Sequence, residues 1–291
     1  MSETELKLSM TPANLDRAGG WLSTRGAVEQ GEPLTLLNRY YDTPEGALNA
    51  ERVALRVRAT GSGYIQTLKT RGHLQGAALA RQEWEWERPE ASLDLALLAD
   101  TPMADHPALS HLAPVFDTDF QRRVLMLDWS EQGQWARIEC ALDNGVIRAS
   151  GQEQPLCELE LELVEGDAGI LSRVATALTA SVPALLNSIS KAEQGYHLAG
   201  VGASGEAGSG ASPQVWLDAL CRFWLGDDPA GWEHFLQVHR QLSGSAEAAG
   251  AGEAYTQVTA ELESAAAQCM SPREALTTMR GLAPLQLALL V

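Results

Sequence analysis

The sequence predicts an α+β chain: an antiparallel region closed, or nearly closed, into a barrel with helices outside it, followed by a small all-α region. Three observations predict it. Alternating apolar and charged residues recur in TELKL, ALRVR, YIQTLK, QEWEWE, ARIECAL and CELELEL, the period-two mark of strands with two unlike faces. The charged faces carry both signs, whereas several opposite faces carry Leu or Trp and need covering. Beyond residue 213 the pattern changes to helix-spaced apolar residues rich in Ala and Leu.

Taken in order, Glu3-Thr4-Glu5-Leu6-Lys7 places two carboxylates and an ammonium on one face of an extended segment, with Leu6 and Leu8 on the other. Thr11 and Pro12 are an N-cap and a first-turn residue, so a helix is expected within 11–30. The same strand geometry aligns Arg56 with Arg58, and Glu83 with Glu85 and Glu87 opposite Trp84 and Trp86. It also aligns Glu139 with Asp143, and Glu158 with Glu160 and Glu162 opposite Leu159, Leu161 and Leu163. An acidic start and apolar spacings of three and four predict a helix over 167–182. A strand-rich unit is therefore expected over 1–198, a Gly/Ser-rich tether over 199–213, and three or four short helices over 214–291. The apolar end LAPLQLALLV is expected to close that helical bundle.

Several strands with a large apolar face and a charged face are satisfied together by an inside-out barrel, its apolar exterior under helices and its charged faces lining a wet interior. Buried charges on that scale are costly unless paired or met by a ligand. Rows of Arg and Lys beside rows of Glu and Asp suit a polyanion bound with divalent cations. The bland alternative is that each strand turns its charges to solvent, as one side of an antiparallel sheet often does. Lysine usage weighs against it: there are 18 Arg but only three Lys, and Lys7, Lys69 and Lys191 each lie on or beside a charged segment.

Composition narrows the function. With 291 residues, 45% apolar and 20% charged, the chain can bury an ordinary core. A formal net charge of −17 argues against broad attraction to nucleic acid or anionic lipid. The start MSETELKLSM is not a basic segment followed by an apolar one, and no 18-residue apolar run occurs, so the cytoplasm is the expected location. Cys140, Cys157, Cys221 and Cys269 form no C-x-x-C pair and are expected to be small buried thiols. Residues 200–205 spell G-x-G-x-x-G without a preceding strand or a following helix, which reads as linker; no Walker loop and no G-x-S-x-G elbow occur. His73, His106 and His111 have no metal spacing. His234 and His239 with Arg240 are expected to pack or face solvent.

The ordered motifs resemble the CYTH domain of the triphosphate tunnel metalloenzymes. After Glu3-Thr4-Glu5-Leu6-Lys7 come NRYYDTP (38–44), ALRVR (54–58), TLK (67–69), RQEWE (81–85), TDFQR (118–122), ALD (141–143), CELELEL (157–163) and SKAEQGY (190–196), a series spanning about 195 residues. The likeness is greatest to bacterial inorganic triphosphatases in which a CYTH domain precedes a CHAD helical domain. Residues 214–291 would then be a shortened, CHAD-like region with four Arg and no Lys.

The resemblance implies an eight-stranded antiparallel tunnel and hydrolysis of tripolyphosphate to pyrophosphate and phosphate with Mg²⁺ or Mn²⁺. It implies that Lys7, Arg56, Arg58, Lys69, Arg122 and Lys191 bind the triphosphate, with Arg123 the neighbour that could replace Arg122. It also implies that Glu3, Glu5, Asp143, Glu158 and Glu160 carry the metal chemistry and that Glu83 is an acidic partner in the tunnel. Lys7, Asp143, Glu158 and Lys191 are the expected catalytic groups, for handling water and the leaving pyrophosphate. Thiamine triphosphatase, class IV adenylyl cyclase and a non-catalytic polyphosphate-binding module are the alternatives, and the full acidic set favours catalysis over the last.

Overall fold

The computed structural model describes residues 2–201 and 212–290. Eight strands follow in chain order: β1 (Ser2–Ser9), β2 (Leu34–Asp42), β3 (Ala54–Thr60), β4 (Gly63–Lys69), β5 (Ala78–Arg88), β6 (Ala113–Glu131), β7 (Gln134–Ala149) and β8 (Gln152–Gly166). All neighbours are antiparallel, in the cyclic order β1-β8-β7-β6-β2-β3-β4-β5, and β5 returns to β1 through Glu3 opposite Arg81. Closure removes the open edges that a flat sheet would leave. Short strands Val28–Glu29, His73–Gln75 and Leu185–Leu186 add to β6, β5 and β1 from outside the ring.

Helix α1 (Pro12–Thr24) starts where Thr11 accepts a hydrogen bond from the Asn14 amide. It ends earlier than the sequence allows, because residues 28–29 extend to pair with β6. With α2 (Gly169–Thr179), it covers the outward Leu6, Leu8, Ile138, Leu159 and Leu161 with Leu15, Leu22, Val174 and Leu178, all nearly solvent-free. Each such side chain contributes about 1.5–3 kcal/mol by leaving water. On the opposite wall Leu55 and Leu68 pack with Leu48 and Leu98, and Trp84 and Trp86 lie against them. The expected inside-out pattern is therefore the one observed.

One end of the barrel interior is apolar. Leu36, Tyr40, Phe116, Phe120, Ile147 and Leu156 form a floor, and helix α3 (Lys191–Ala199) packs onto it through Gly195 and Tyr196. A Cβ on Gly195 would stand 2.1 Å from the Phe116 ring, so glycine is what lets the helix approach this closely.

Among the described residues six helices follow, α4 (Pro213–Gly226), α5 (Trp232–Arg240), α6 (Ser243–Ala248), α7 (Gly252–Ala267), α8 (Pro272–Thr278) and α9 (Leu282–Leu290), where three or four were expected. The extra breaks have local causes. Asp227 and Cys269 adopt left-handed backbone, Gly250 does likewise, and Pro229 and Pro272 begin new turns. Helix α9 does more than close the bundle: Leu282 and Leu285 enter the helical core, while Ala283 and Leu287 join the cover of the barrel. Its buried Gln286 side chain accepts from the Leu186 amide and donates to the Leu186 carbonyl, splinting that short strand. Two thiols depart from expectation, Cys157 half-buried and Cys269 exposed in its left-handed turn. Most of the expected tether, residues 202–211, lies outside the described residues. No described helix is long and apolar enough to cross a membrane.

Candidate active site

The charged strand faces converge on one cavity of about 230 Å³ inside the barrel. Register explains the convergence, since residues of one parity on every strand point to the same side. Lys7 lies opposite Glu160, and Glu5 opposite Glu162, across the β1–β8 pair. Asp143 lies between Glu158 and Arg122 across β8, β7 and β6. Arg56 faces Thr67, and Lys69 faces Glu83, across β3, β4 and β5.

Three charge groups share this interior. In the first, Lys69 Nζ donates to both Glu3 oxygens at 2.8 and 3.0 Å and stands 3.1 Å from Glu83. Arg81 spans Glu3 and Glu5, each at 2.8 Å. Burial alone would raise the Glu3 carboxyl, but Lys69 and Arg81 outweigh it and hold it at about 2. Glu83 is pushed the other way, its burial exceeding the pull of Lys69.

The second group surrounds Lys191, the first residue of α3. Ser190 caps the helix, and Glu193 returns the bond in a capping box, which fixes where Lys191 begins. Its Nζ lies 2.8 Å from Asp143, 2.8 Å from Glu160, and within hydrogen-bond reach of Glu158. Arg122 grips Asp143 through two bonds of 2.7 and 2.6 Å and adds one to Glu160 at 2.7 Å. Asp143 is fully buried. Burial raises Glu158 despite Lys191 and Lys7, whereas for Glu160 the same burial is overcome by Lys191 and Arg122, and its carboxyl is held well down. One oxygen from each of Asp143, Glu158 and Glu160 lies within 4.8 Å of the others, a hard-oxygen donor set whose chemistry fits a divalent cation.

The third group is basic, and its two arginines differ: burial at Arg56 is outweighed by Tyr40, Glu83 and Glu85, which raise it, whereas Arg58 is lowered. Arg58 Nε donates to Asn38 at 2.8 Å, and Arg56 donates to the Tyr40 hydroxyl at 3.4 Å, with Glu85 at 3.9 Å. The buried Arg56 Nε has no hydrogen-bond partner among the described residues. Burial, then Arg56 and Arg122, lower Arg58 to about 9. A guanidinium this basic stays charged at neutral pH, so the cost is relieved by an anion beside it rather than by proton loss.

Of the site residues the resemblance implies, Glu3, Glu5, Lys7, Arg56, Arg58, Lys69, Glu83, Arg122, Glu160 and Lys191 line this space, and Asp143 and Glu158 join Glu160 in the acidic cluster. Arg122 points inward, while Arg123 turns out to Glu29 at the surface. Glu139 and Glu162 line the cavity, and burial together with Glu3 and Glu139 raises Glu162 to about 7. The sequence reading missed Arg81, which sits two residues before Glu83 on the same strand face; parity alone could have found it. Tyr40 and Asn38, within NRYYDTP, were missed as partners of the two arginines because a tyrosine or asparagine in a strand carries no sign of which face is inside.

In the helical region His239 is buried, bonded to Thr259 and stacked on Tyr255, and Arg240 pairs with Glu263 at the surface.

A CYTH domain family model matches residues 1–196. An inorganic triphosphatase of Haemophilus influenzae is 32% identical over 245 residues, which are 84% of this chain and 62% of that protein. The chain thus spans less than two thirds of that relative's length. Among solved structures, a putative adenylyl cyclase from Hippeastrum described as having dominant triphosphatase activity is 18% identical, with a TM-score of 0.48 over 69% of this chain and 98% of that one. A putative adenylate cyclase from Bacillus halodurans is also 18% identical, with a TM-score of 0.41 over 66% of this chain and 96% of that one.

Proposed function

The chain belongs to the CYTH domain family, and from that premise we propose that it hydrolyses inorganic triphosphate to pyrophosphate and phosphate inside the barrel, with Mg²⁺ or Mn²⁺ as cofactor. The observation that carries this reading is the convergence of buried Arg56 and Arg58, the latter lowered to about 9 by burial and its basic neighbours, with a separate acidic wall on one cavity inside the barrel. The same proposal divides the chain into a tunnel unit at 1–198, a linker at 199–213 and a helical, CHAD-like unit at 214–291.

Arg56, Arg58, Lys69 and Arg122, with Lys7 and Lys191, hold the phosphate oxygens and fix the chain so that one phosphorus faces water in line with its leaving oxygen. Arg81 is a positioning residue, since it aims Glu3 and Glu5 rather than reaching past them. Glu3, Glu5, Asp143, Glu158 and Glu160 would hold the divalent cation, which when bound neutralises phosphate charge and polarises the phosphoryl group. Asp143 or Glu158 orients or deprotonates the attacking water, and burial, which raises Glu158, suits it to take the proton. As the new bond from water to phosphorus forms, the bridging P–O bond breaks, and its electron pair leaves with pyrophosphate. Lys7 and Lys191 stabilise that charge. Glu83 keeps Lys69 oriented at the opposite wall.

Phosphate release from tripolyphosphate, ATP and thiamine triphosphate with Mg²⁺ or Mn²⁺, beside a cyclic AMP assay, tests the reading. Tripolyphosphate is expected to be the preferred substrate. Arg58→Ala should remain folded and lose about 10²-fold or more in turnover, as for loss of one preorganised donor. Binding without turnover under either metal would favour a non-catalytic module, and cyclic AMP formation a cyclase.

A further inference from the structure

A second cavity, of about 360 Å³, stands against the mouth of the tunnel. The two are contiguous, sharing Ala54, Lys69, Arg81, Ser190 and Ala192 as wall residues. The helical region contributes to this antechamber: Asp218 and Arg222 of α4 line it, together with Arg52 and Glu193 of the barrel unit. Arg222 is half-buried and held along its helix by Asp218, Nε to Oδ2 at 2.8 Å, an i,i+4 pair. Its neighbour Cys221 is buried where its sulfur accepts from the Ser188 amide and donates to the Leu186 carbonyl. Helix α4 is thereby registered on the segment that leads into Lys191.

We propose that Arg222 is a substrate-capture residue: the helical region supplies it to draw condensed phosphate into the antechamber and onto Lys69, which lines both cavities. This rests on the triphosphatase reading. The physical need is plain, because a chain of net charge −17 repels a polyanion at long range. Beyond about 8–10 Å that repulsion is screened at ordinary salt, so the cations nearest the opening decide whether the anion goes in. Arg222 and Arg52 both line the antechamber, and neither lines the inner cavity where the phosphorus would react. The role is therefore in capture, kcat/KM, and not in the bond-breaking step.

The experiment measures tripolyphosphate hydrolysis by the full chain at low salt and at about 0.5 M salt, where screening is nearly complete. Arg222→Glu is expected to lower kcat/KM by about 5- to 10-fold at low salt with kcat within about 2-fold of wild type, the gap closing at high salt, as for electrostatic steering. Arg222→Lys should restore most of the loss. Arg240→Glu, the same charge change on the helical surface away from the antechamber, should leave kcat/KM unchanged, and thermal melts should establish that all three variants are folded. Equal low-salt kcat/KM for Arg222→Glu and wild type, or a loss indifferent to salt, overturns the capture role while leaving the tunnel reading intact. Absence of turnover in the wild type overturns both.

Discussion

The barrel and the helical region bury opposite things. The barrel interior holds Glu3, Glu5, Lys7, Arg56, Asp143, Glu158 and Lys191 at low exposure, nearly all of them tied to a group of opposite sign. The helical interior is mainly Leu, Trp, Phe and Ala, and its buried polar side chains among the described residues are those of His239, Thr277 and Gln286. A buried ion pair is weak support for stability, because desolvation offsets most of its attraction, whereas apolar packing stabilises outright. The barrel stays folded because its outside is apolar and covered by α1, α2 and α9, which leaves the inside available for charge. Stability and function are thus divided between two faces of the same strands, while the helical region has a single apolar core and a tie to the barrel through Gln286.

The contrast breaks most sharply at Arg122. Replacing it with alanine leaves Asp143, fully buried, with Lys191 as its remaining cation and takes one partner from Glu160. Removing one member of a buried charge pair costs about 3–5 kcal/mol, and loss of a phosphate-binding donor lowers turnover by about 10²-fold or more. Urea denaturation and phosphate release on Arg122→Ala measure the two effects. A stable, active variant would mean that the interior charges are solvated and not paired as described.

A smaller change sharpens the link between floor and site. In Gly195→Ala the added methyl meets the Phe116 ring, itself stacked on Tyr40 at 4.4 Å, so α3 must lift from the floor. Overpacking of this kind costs about 1–3 kcal/mol. Because Lys191 begins the same helix, kcat should fall as well, while the melting of the helical region is unaffected. Unchanged kcat with lowered stability would separate Lys191 from the floor contact.

Much of the barrel was legible because period two is a local property: the faces of Glu3, Glu5 and Lys7, or of Glu158, Glu160 and Glu162, follow from spacing once the segment is extended. Arg81 obeyed the same rule, but it stands at the start of its charged run, where the face is established only by the residues that follow. What could not be read was the direction of approach. Nothing in SKAEQGY says that this helix enters the barrel end and sets an ammonium among three carboxylates, because that depends on Phe116, distant in sequence, and on a missing Cβ at Gly195. Helix α9 is another case. Its uniformly apolar sequence fits one buried core as well as two, and only the tertiary arrangement places Ala283 and Leu287 against the barrel and Leu282 and Leu285 against the helices.

The least disruptive probe is pH, and it reads the helical side of the comparison. Burial, with Arg240 adding to it, lowers His239 from an ordinary 6.5 to about 4; Glu263 pulls the other way. Thr259, Tyr255 and Trp216 surround the ring without offering it charge. Above 6.5 neither the folded nor the unfolded chain protonates this group, and its contribution to stability is in place. Between 6.5 and 4 the unfolded chain binds the proton and the folded chain does not, so stability falls as pH falls through that window. From pH 7 to 4.5 the loss amounts to about 2 kcal/mol for a shift of this size. Carboxylates of the barrel also titrate in this range, so the quantity to measure is the difference between wild type and His239→Gln in urea denaturation at the two pH values. The variant should lack the imidazole's share of the acid-induced loss; an identical pH dependence in both proteins would mean that the buried ring already accepts a proton in the folded state.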